Sequence, residues 1–214
     1  MKGTLPYARA LVLAPHTDDG EFGCGGTIAR LVDEGRDVTY VAFSAAEKSV
    51  PREFPDDVLR TEVREATRVL GIPESNLRIG EFEVRDFPRD RQEILDWMIK
   101  LRDELRPDAV FLPSVHDIHQ DHATVHAEGL RAFKGVTMLG YEVPWNNLVF
   151  ETTAFVRLDE EHVQRKVDAL RCYRSQAGRP YANEESVRAQ ARMRGTQAGC
   201  RFAETFQVIR WVAG

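Results

Sequence analysis

The side chains best suited to metal or proton chemistry fall in two short segments. The first is P-H-T-D-D-G-E, residues 15–21, which supplies His16, Asp18 and Asp19. The second is P-S-V-H-D-I-H-Q-D-H, residues 113–122, which supplies His116, Asp117, His119, Asp121 and His122, with His126 one helical turn further on. Four of the six histidines lie between 116 and 126. Each segment follows an apolar run, so these groups fall where a buried strand ends. Burying that much charge is unfavourable unless something positive shares the site. Histidine with carboxylate suits zinc or another divalent first-row metal, and a catalytic zinc takes three protein ligands and leaves a position for water. Two adjacent carboxylates in a tight turn cannot comfortably both face one ion. One should ligate, and its neighbour is then free to take a proton from the activated water. His119 and His122 are three apart at a helix start and share a face, so one can ligate while the other addresses the reacting atom. An Asp pair after a strand ordinarily serves as a turn or a helix cap; His16 and the second cluster outweigh that reading.

These segments need elements that bring them together. Residues 8–14 (A-R-A-L-V-L-A) read as a buried strand, and Gly25-Gly26 then opens a helix that stops at Gly35. Residues 37–43 form a second strand, and residues 57–70 have helical spacing that ends at Gly71. Residues 90–105 make an amphipathic helix with Ile94, Leu95, Met98, Leu101 and Leu105 on one side, closed by Pro107. Residues 108–112 (D-A-V-F-L) are a short apolar strand, 121–133 a helix and 137–143 strand-like. The tail adds a strand at 154–158, a helix at 159–173 and a last strand at 206–212. Strands alternating with helices predict an α/β fold: a single domain, 1–214, of three layers (α/β/α) around a Rossmann-like, mostly parallel sheet. Ligands collect at the carboxyl ends of such strands, where both segments fall.

The whole chain sets further bounds. Its 214 residues are 43% hydrophobic and 29% charged, which suits a globular domain with a real core. A net charge of −5 argues against a nucleic-acid partner. No apolar run approaches the roughly 20 residues that span a bilayer, and the apolar stretch at the N-terminus is too short for a signal peptide. Cys24, Cys172 and Cys200 are odd in number and widely spaced, which predicts reduced thiols and a cytoplasmic setting. Cys24 is expected to pack rather than react.

The two segments resemble the motifs of the PIG-L/LmbE-like zinc N-deacetylases, which run roughly A-H-P-D-D with a following Gly-Gly, and H-P-D-H; here they are P-H-T-D-D-G-E-F-G-C-G-G and H-Q-D-H. The resemblance extends to Arg60, Glu62, Ala66, Leu70 and Gly71, to K-V-D-A-L-R-C-Y-R-S-Q (166–176), and to the closing R-G-x-x-A-G-x-R-F-A-E-x-F (194–206). It implies His16, Asp19 and His122 as ligands of one zinc per chain, with iron(II) as an alternative metal. It implies Asp18 as general base and His119 as acid or oxyanion stabiliser. The implied reaction is hydrolysis of an N-acetyl group on an amino-sugar conjugate. Two departures stand out. Thr17 replaces the usual proline, which should loosen the turn, and Gly20 stands where glutamate often follows, with Glu21 one place later.

Other residues admit both a substrate and a packing role. Arg60 could hold a sugar hydroxyl, carboxylate or phosphate, or lie on a solvated helix face. His116 and Asp117 could line a substrate pocket or sit in a loop. Tyr141, Glu142, Trp145 and Asn146 follow a strand end, where an aromatic and amide group can engage a sugar. Asp121 reads as a helix N-cap that could orient a histidine, His126 as a packing residue and His162 as a surface one. The G-x-G-G at 23–26 lacks the nucleotide fingerprint and fits close helix–strand packing. Apolar tail segments and exposed-looking aromatics favour a homo-oligomer. Two other readings are a metal hydrolase of a different acyl, ester or phosphoester bond, and a sugar- or metal-binding protein on the same scaffold.

Overall fold

β1 (Arg9–Ala14) is apolar on both faces: Ala10, Val12 and Ala14 enter one hydrophobic cluster, and Leu11 and Leu13 the other. A strand of this kind belongs inside a parallel sheet with helices on both sides. The computed structural model, which describes residues 3–213, has it there. β1 pairs in parallel with β2 (Asp37–Ala42), Leu11 opposite Thr39, and with β4 (Ala109–Pro113), Leu11 opposite Val110. β3 (Leu77–Ile79) extends the parallel sheet beyond β2, and β5 (Thr137–Tyr141) extends it beyond β4. β7 (Phe202–Arg210) then lies antiparallel between β5 and β6 (Ala154–Leu158). The seven-stranded order is β3-β2-β1-β4-β5-β7-β6.

α1 (Asp19–Asp33), α2 (Val58–Leu70) and α5 (Glu160–Arg171) cover the Ala10–Val12–Ala14 face, and α6 (Glu184–Gln197) packs beside α5 against β7. α3 (Phe87–Leu105) and α4 (Gln120–Ala132) cover the other face through Ile94, Leu95, Met98, Leu101 and Val125. α2 shows how sequence sets an end: Leu59, Val63, Ala66 and Leu70 are buried at helical spacing, and Gly71 follows at φ 88°, the left-handed conformation that favours glycine.

The predicted three-layer α/β/α architecture is therefore present, with corrections in detail. α1 begins at Asp19, not at Gly25-Gly26, because the helix is broken at Cys24 (φ −148°, ψ 24°) and the predicted stretch is only its second half. β3 is too short to show alternation, and α6 is too polar to show a strong apolar stripe, since it buries only Val187, Ala191 and Gly195. β7 starts at Phe202, before the predicted 206, because the polar Glu204 and Thr205 interrupt its apolar pattern while being buried.

The strand order positions the site. After β1 the chain adds β2 and β3 on one side, then returns to place β4 and β5 on the other. The loops leaving β1 and β4 consequently diverge, and a crevice opens at their carboxyl ends, the usual ligand position in such sheets. The loop after β1 carries His16 and Asp18, and the loop after β4 carries His116 through His119.

Candidate metal and active site

Three donor atoms meet in that crevice. His16 Nδ1 is 3.1 Å from Asp19 Oδ2, His122 Nε2 is 3.2 Å from the same oxygen, and the two ring nitrogens are 3.4 Å apart. Donors bound tetrahedrally to zinc at about 2.0–2.1 Å lie about 3.3 Å from one another, so this near-equilateral triangle has the spacing of one face of a zinc site. His119 is close by, since one donor atom from each of His16, His119 and His122 lies within 4.8 Å of the others. That set is looser than the triangle with Asp19.

The far nitrogen of each histidine in the triangle meets a carboxylate. His16 Nε2 is 2.9 Å from Asp121 Oδ2, and His122 Nδ1 is 2.7 Å from Asp117 Oδ2. A neutral ring that donates from those nitrogens presents its lone pair at Nδ1 of His16 and Nε2 of His122, the two atoms in the triangle. Carboxylates in this position fix the tautomer and raise ligand basicity. The carboxylate that serves His16 comes from α4, so the two loops are locked to each other. Asp117 also accepts the His119 backbone N–H at 2.9 Å and thereby shapes the entry to α4. Asp117 is thus a buried positioning residue; its place in the second segment was legible, its orientation was not.

The electrostatics fit a cation. Burial opposes charge on His16, but Asp121 and Asp19 raise it to about 9. Burial likewise opposes charge on His122, but Asp19 and Asp117 raise it to about 10. Burial is outweighed at Asp19 too, where the histidines hold the carboxyl far below the usual range. The triangle draws positive charge: protons in the absence of an ion, the ion otherwise.

Asp18 is the adjoining carboxylate outside the triangle. It occupies the N-cap position of α1 without making a side-chain cap bond. Burial and Asp19 raise it to about 6, and Arg179 and His16 pull it partly back. His119 Nδ1 accepts the Asp121 backbone N–H at 3.2 Å, so a neutral ring carries its proton on Nε2 and is a hydrogen-bond donor. Burial and the other two rings hold His119 below its ordinary range. All five groups line one cavity of about 290 Å³, together with Trp145, Asn146, Gln176, Arg85 and Arg179.

The turn that presents Asp18 and Asp19 is tightly held. The Tyr40 and Tyr173 hydroxyls lie 2.9 and 2.7 Å from the Thr17 carbonyl, and both also meet the buried Glu21 carboxyl, which burial pushes up to about 8. The loosening expected from Thr17 is offset by these two anchors. Gly20 is required by the same contact: its N–H donates to Tyr40 Oη at 3.0 Å, and a Cβ there would stand 2.5 Å from the tyrosine ring. Further along, the break in α1 is clamped. Glu204 of β7 accepts the Gly26 and Thr27 N–H groups at 3.0 and 2.6 Å, and Lys166 of α5 reaches both the Phe22 carbonyl and Glu204 at 2.7 Å. The tail motifs are therefore parts of the support beneath the first segment.

Several sequence-based candidates lie elsewhere. Arg60 is outside the cavity, ion-paired to Glu47 and Glu81. Tyr141 is fully buried, and its hydroxyl donates to the Leu13 carbonyl at 2.9 Å. Glu142 is buried against Arg194 and Gln190. His116 is exposed near Glu151, also outside the cavity. Trp145 does line it, stacked on Tyr181 with centroids 3.6 Å apart. The N-cap of α4 is His119 rather than Asp121. His126 is no part of the triangle and donates to the Pro113 carbonyl. His162 is buried, not on the surface: it caps α5 through the Asp159 N–H and meets Asp33. Gln176, the last residue of the 166–176 motif, reaches the cavity, and Arg179 was missed because it stands far along the chain and reaches the cavity only through the fold. All three cysteines are free thiols, with Cys24 buried. Among the described residues no helix is long and apolar enough to cross a membrane.

The chain is similar to several known proteins. The family model described as PIG-L, GlcNAc-PI de-N-acetylase, matches residues 11–133. An uncharacterized deacetylase of Escherichia coli K12, YaiS, is 27% identical over 171 residues, which cover 77% of this chain and 90% of that protein. The crystal structure of the conserved protein TT1542 from Thermus thermophilus superimposes with a TM-score of 0.80 at 29% identity, covering 96% of each chain. The fold is also shared by GalB, a 4-carboxy-2-hydroxymuconate hydratase from Pseudomonas putida KT2440, at 20% identity and a TM-score of 0.75, covering 96% of this chain and 98% of that one.

Proposed function

The chain belongs to the PIG-L family, and on that footing we propose that it is a zinc-dependent hydrolase that removes the acetyl group from an N-acetylated amino-sugar conjugate. The observation that carries the reading is the triangle of His16, Asp19 and His122 with Asp18 beside it and outside it. His16, Asp19 and His122 would hold the ion, iron(II) being the alternative to zinc. When bound, the ion supplies Lewis acidity toward the amide carbonyl and a water molecule.

The protein's own groups do the rest. Asp18 accepts a proton from the water as its oxygen bonds to the carbonyl carbon. His119 donates from Nε2 to the oxygen on which negative charge develops. Asp18 returns the proton to the nitrogen, the C–N bond breaks, and acetate and the free amine leave. Trp145 offers the substrate an aromatic face.

The test is release of acetate from a panel of N-acetylated sugar conjugates, with zinc and with a chelator. Acetate should appear with zinc, cease on chelation and return on adding the metal back. Asp18→Asn should keep its metal and lose hydrolysis by about two to four orders of magnitude, the usual contribution of a positioned base. Hydration of an unsaturated acid, the reaction named for GalB, releases no acetate. Wild-type protein that carries zinc yet releases none from any conjugate sinks the reading.

A further inference from the structure

Gln176 lines the cavity at the end of the 166–176 motif and has no role in the proposed bond cleavage. The two ends of a glutamine amide are alike in shape but opposite in hydrogen bonding, so which end faces a cavity follows from the partners of the other. Here the partner is Ser175. Glu62 of α2, itself 2% exposed, accepts the Ser175 N–H on Oε1 at 2.9 Å and the Ser175 hydroxyl on Oε2 at 2.6 Å. A hydroxyl has one proton, and this one is committed to Glu62. Its oxygen can then only accept, and the Gln176 amide lies 3.1 Å from it. A carbonyl oxygen at that place would set lone pair against lone pair, so the amide turns Nε2 toward Ser175 and Oε1 away from it.

That Oε1 meets no donor of the protein among the described residues. The sealed polar atoms without a partner there are Thr27 Oγ1, Arg36 Nε and Asp121 Oδ1. Gln176 Oε1 is not one of them, so it opens into the cavity that its residue lines. The backbone beneath it is held as well. The Gln176 N–H donates to the Tyr173 carbonyl at 3.0 Å, and the Arg179 N–H donates to the Gln176 carbonyl at 3.1 Å. The Tyr173 hydroxyl in turn meets the Thr17 carbonyl, which ties this segment to the turn that carries Asp18 and Asp19. Asn146, the other amide in the cavity, has no side-chain bond among the described residues that fixes its sense. At about 290 Å³ the cavity is at the small end for ligand pockets, with room for about one sugar ring and its acetamido group. An acceptor on its wall therefore meets the reacting sugar itself and not a distant part of the conjugate.

Building on the deacetylase reading, we propose that Gln176 is a specificity-determining residue whose Oε1 accepts a hydrogen bond from the sugar that bears the acetyl group, and that Glu62 and Ser175 are positioning residues that keep this acceptor facing the cavity. The donor is the amide N–H or a ring hydroxyl. In the first case the acceptor selects amides over acetyl esters, which carry no proton at that place. In the second it selects among sugars by the hydroxyl they present. A substrate without the donor leaves the oxygen dehydrated and unpaired, which is the strongest way a polar site rejects an analogue.

Binding to the zinc-loaded Asp18→Asn chain, in which hydrolysis is slowed, tests this apart from turnover. The parent probe is the conjugate from which the wild type releases most acetate, or methyl N-acetylglucosaminide if it releases none. Each analogue lacks one donor: an ester oxygen replaces the amide N–H in one, and hydrogen replaces a single ring hydroxyl in each of the others. At least one analogue should bind about ten-fold or more weakly than the parent, and its identity names the donor. With Gln176→Met added, that ratio should fall close to one. Ser175→Ala frees the amide to turn and should keep only part of the discrimination, and Ser175→Thr should restore it. A merely structural role would weaken parent and analogue alike and leave the ratio unchanged. The two Ser175 variants carry the test if Gln176→Met does not fold. The proposal is overturned if no analogue is discriminated, if the ratio is the same with and without the Gln176 amide, or if Ser175→Ala leaves it whole. Acetate release by the wild type is read in a separate assay, so that result bears on the deacetylase reading and the ratios bear on Gln176.

Discussion

At the residue scale, the two histidines of the triangle are oriented by Asp121 and Asp117, 2.9 and 2.7 Å from the nitrogens opposite those in the triangle. Replacing either carboxylate by asparagine should lower metal affinity by about 10–100-fold while leaving all three ligands in place, as read by competition with a chromogenic chelator. Unchanged affinity in both variants would mean that the rings are oriented by packing alone. The raised pKa values of His16 and His122, about 9 and about 10, have a second consequence. With pKa values in that range each ring would carry a second proton at neutral pH without a cation, and a bound ion would displace it. Titrations of the metal in buffers of different ionisation enthalpy should therefore show proton release near pH 7. As the proposed base, Asp18 should set the pH dependence of turnover. It must be ionised to take a proton, and its pKa is about 6 without the cation, lower with one beside it. With the metal site saturated, kcat/KM should fall as the pH drops through that value, and a rate that rises toward acid would exclude Asp18 as base. The convergence of His16, Asp19 and His122 beside Asp18 was legible from residue types at a spacing. Arg179 was not, because nothing local in its sequence distinguishes a cavity residue from a loop residue, and the motif ending at Gln176 gave no sign that this residue lines the cavity.

At the element scale, the working parts are the first half of α1 and the entry of α4, each fastened by residues distant in sequence. The break at Cys24 frees N–H groups that Glu204 accepts and a carbonyl that Lys166 meets. Both side chains are 6% exposed. Removing one partner of a buried ion pair leaves the other uncompensated at a cost of about 3–5 kcal/mol. Glu204→Ala and Lys166→Ala should each lower stability by that amount in urea denaturation, whereas a loss under 1 kcal/mol would show that water repairs the clamp. Gly20→Ala should also destabilise, by about 1–3 kcal/mol for a crowded core, since the added carbon meets the Tyr40 ring. Tyr40→Phe should relieve part of that crowding. The sequence marked most helices and strands because their apolar faces repeat at 3.6 or 2.0 residues. It misplaced the start of α1, where glycines and acids mask a helix whose stability comes from tertiary bonds, and it gave no sign of α6, which is mostly polar.

At the scale of the whole molecule, the site exists because the sheet changes direction of growth between β1 and β4. Two loops separated by about a hundred residues of chain leave neighbouring strands at that point and supply complementary halves of one donor set. The alternation of strands and helices made this arrangement legible in advance, and the antiparallel insertion of β7 was not, since pairing direction leaves no local trace in a strand. The central claim is that one divalent cation is held by His16, Asp19 and His122. Anomalous diffraction at the zinc edge from crystals of the zinc-loaded chain measures it directly. The account expects a single peak bonded to His16 Nδ1, Asp19 Oδ2 and His122 Nε2, with His119 and Asp18 outside bonding distance. A peak bonded to His119 in place of Asp19, or no peak between the two loops at saturating zinc, would contradict it.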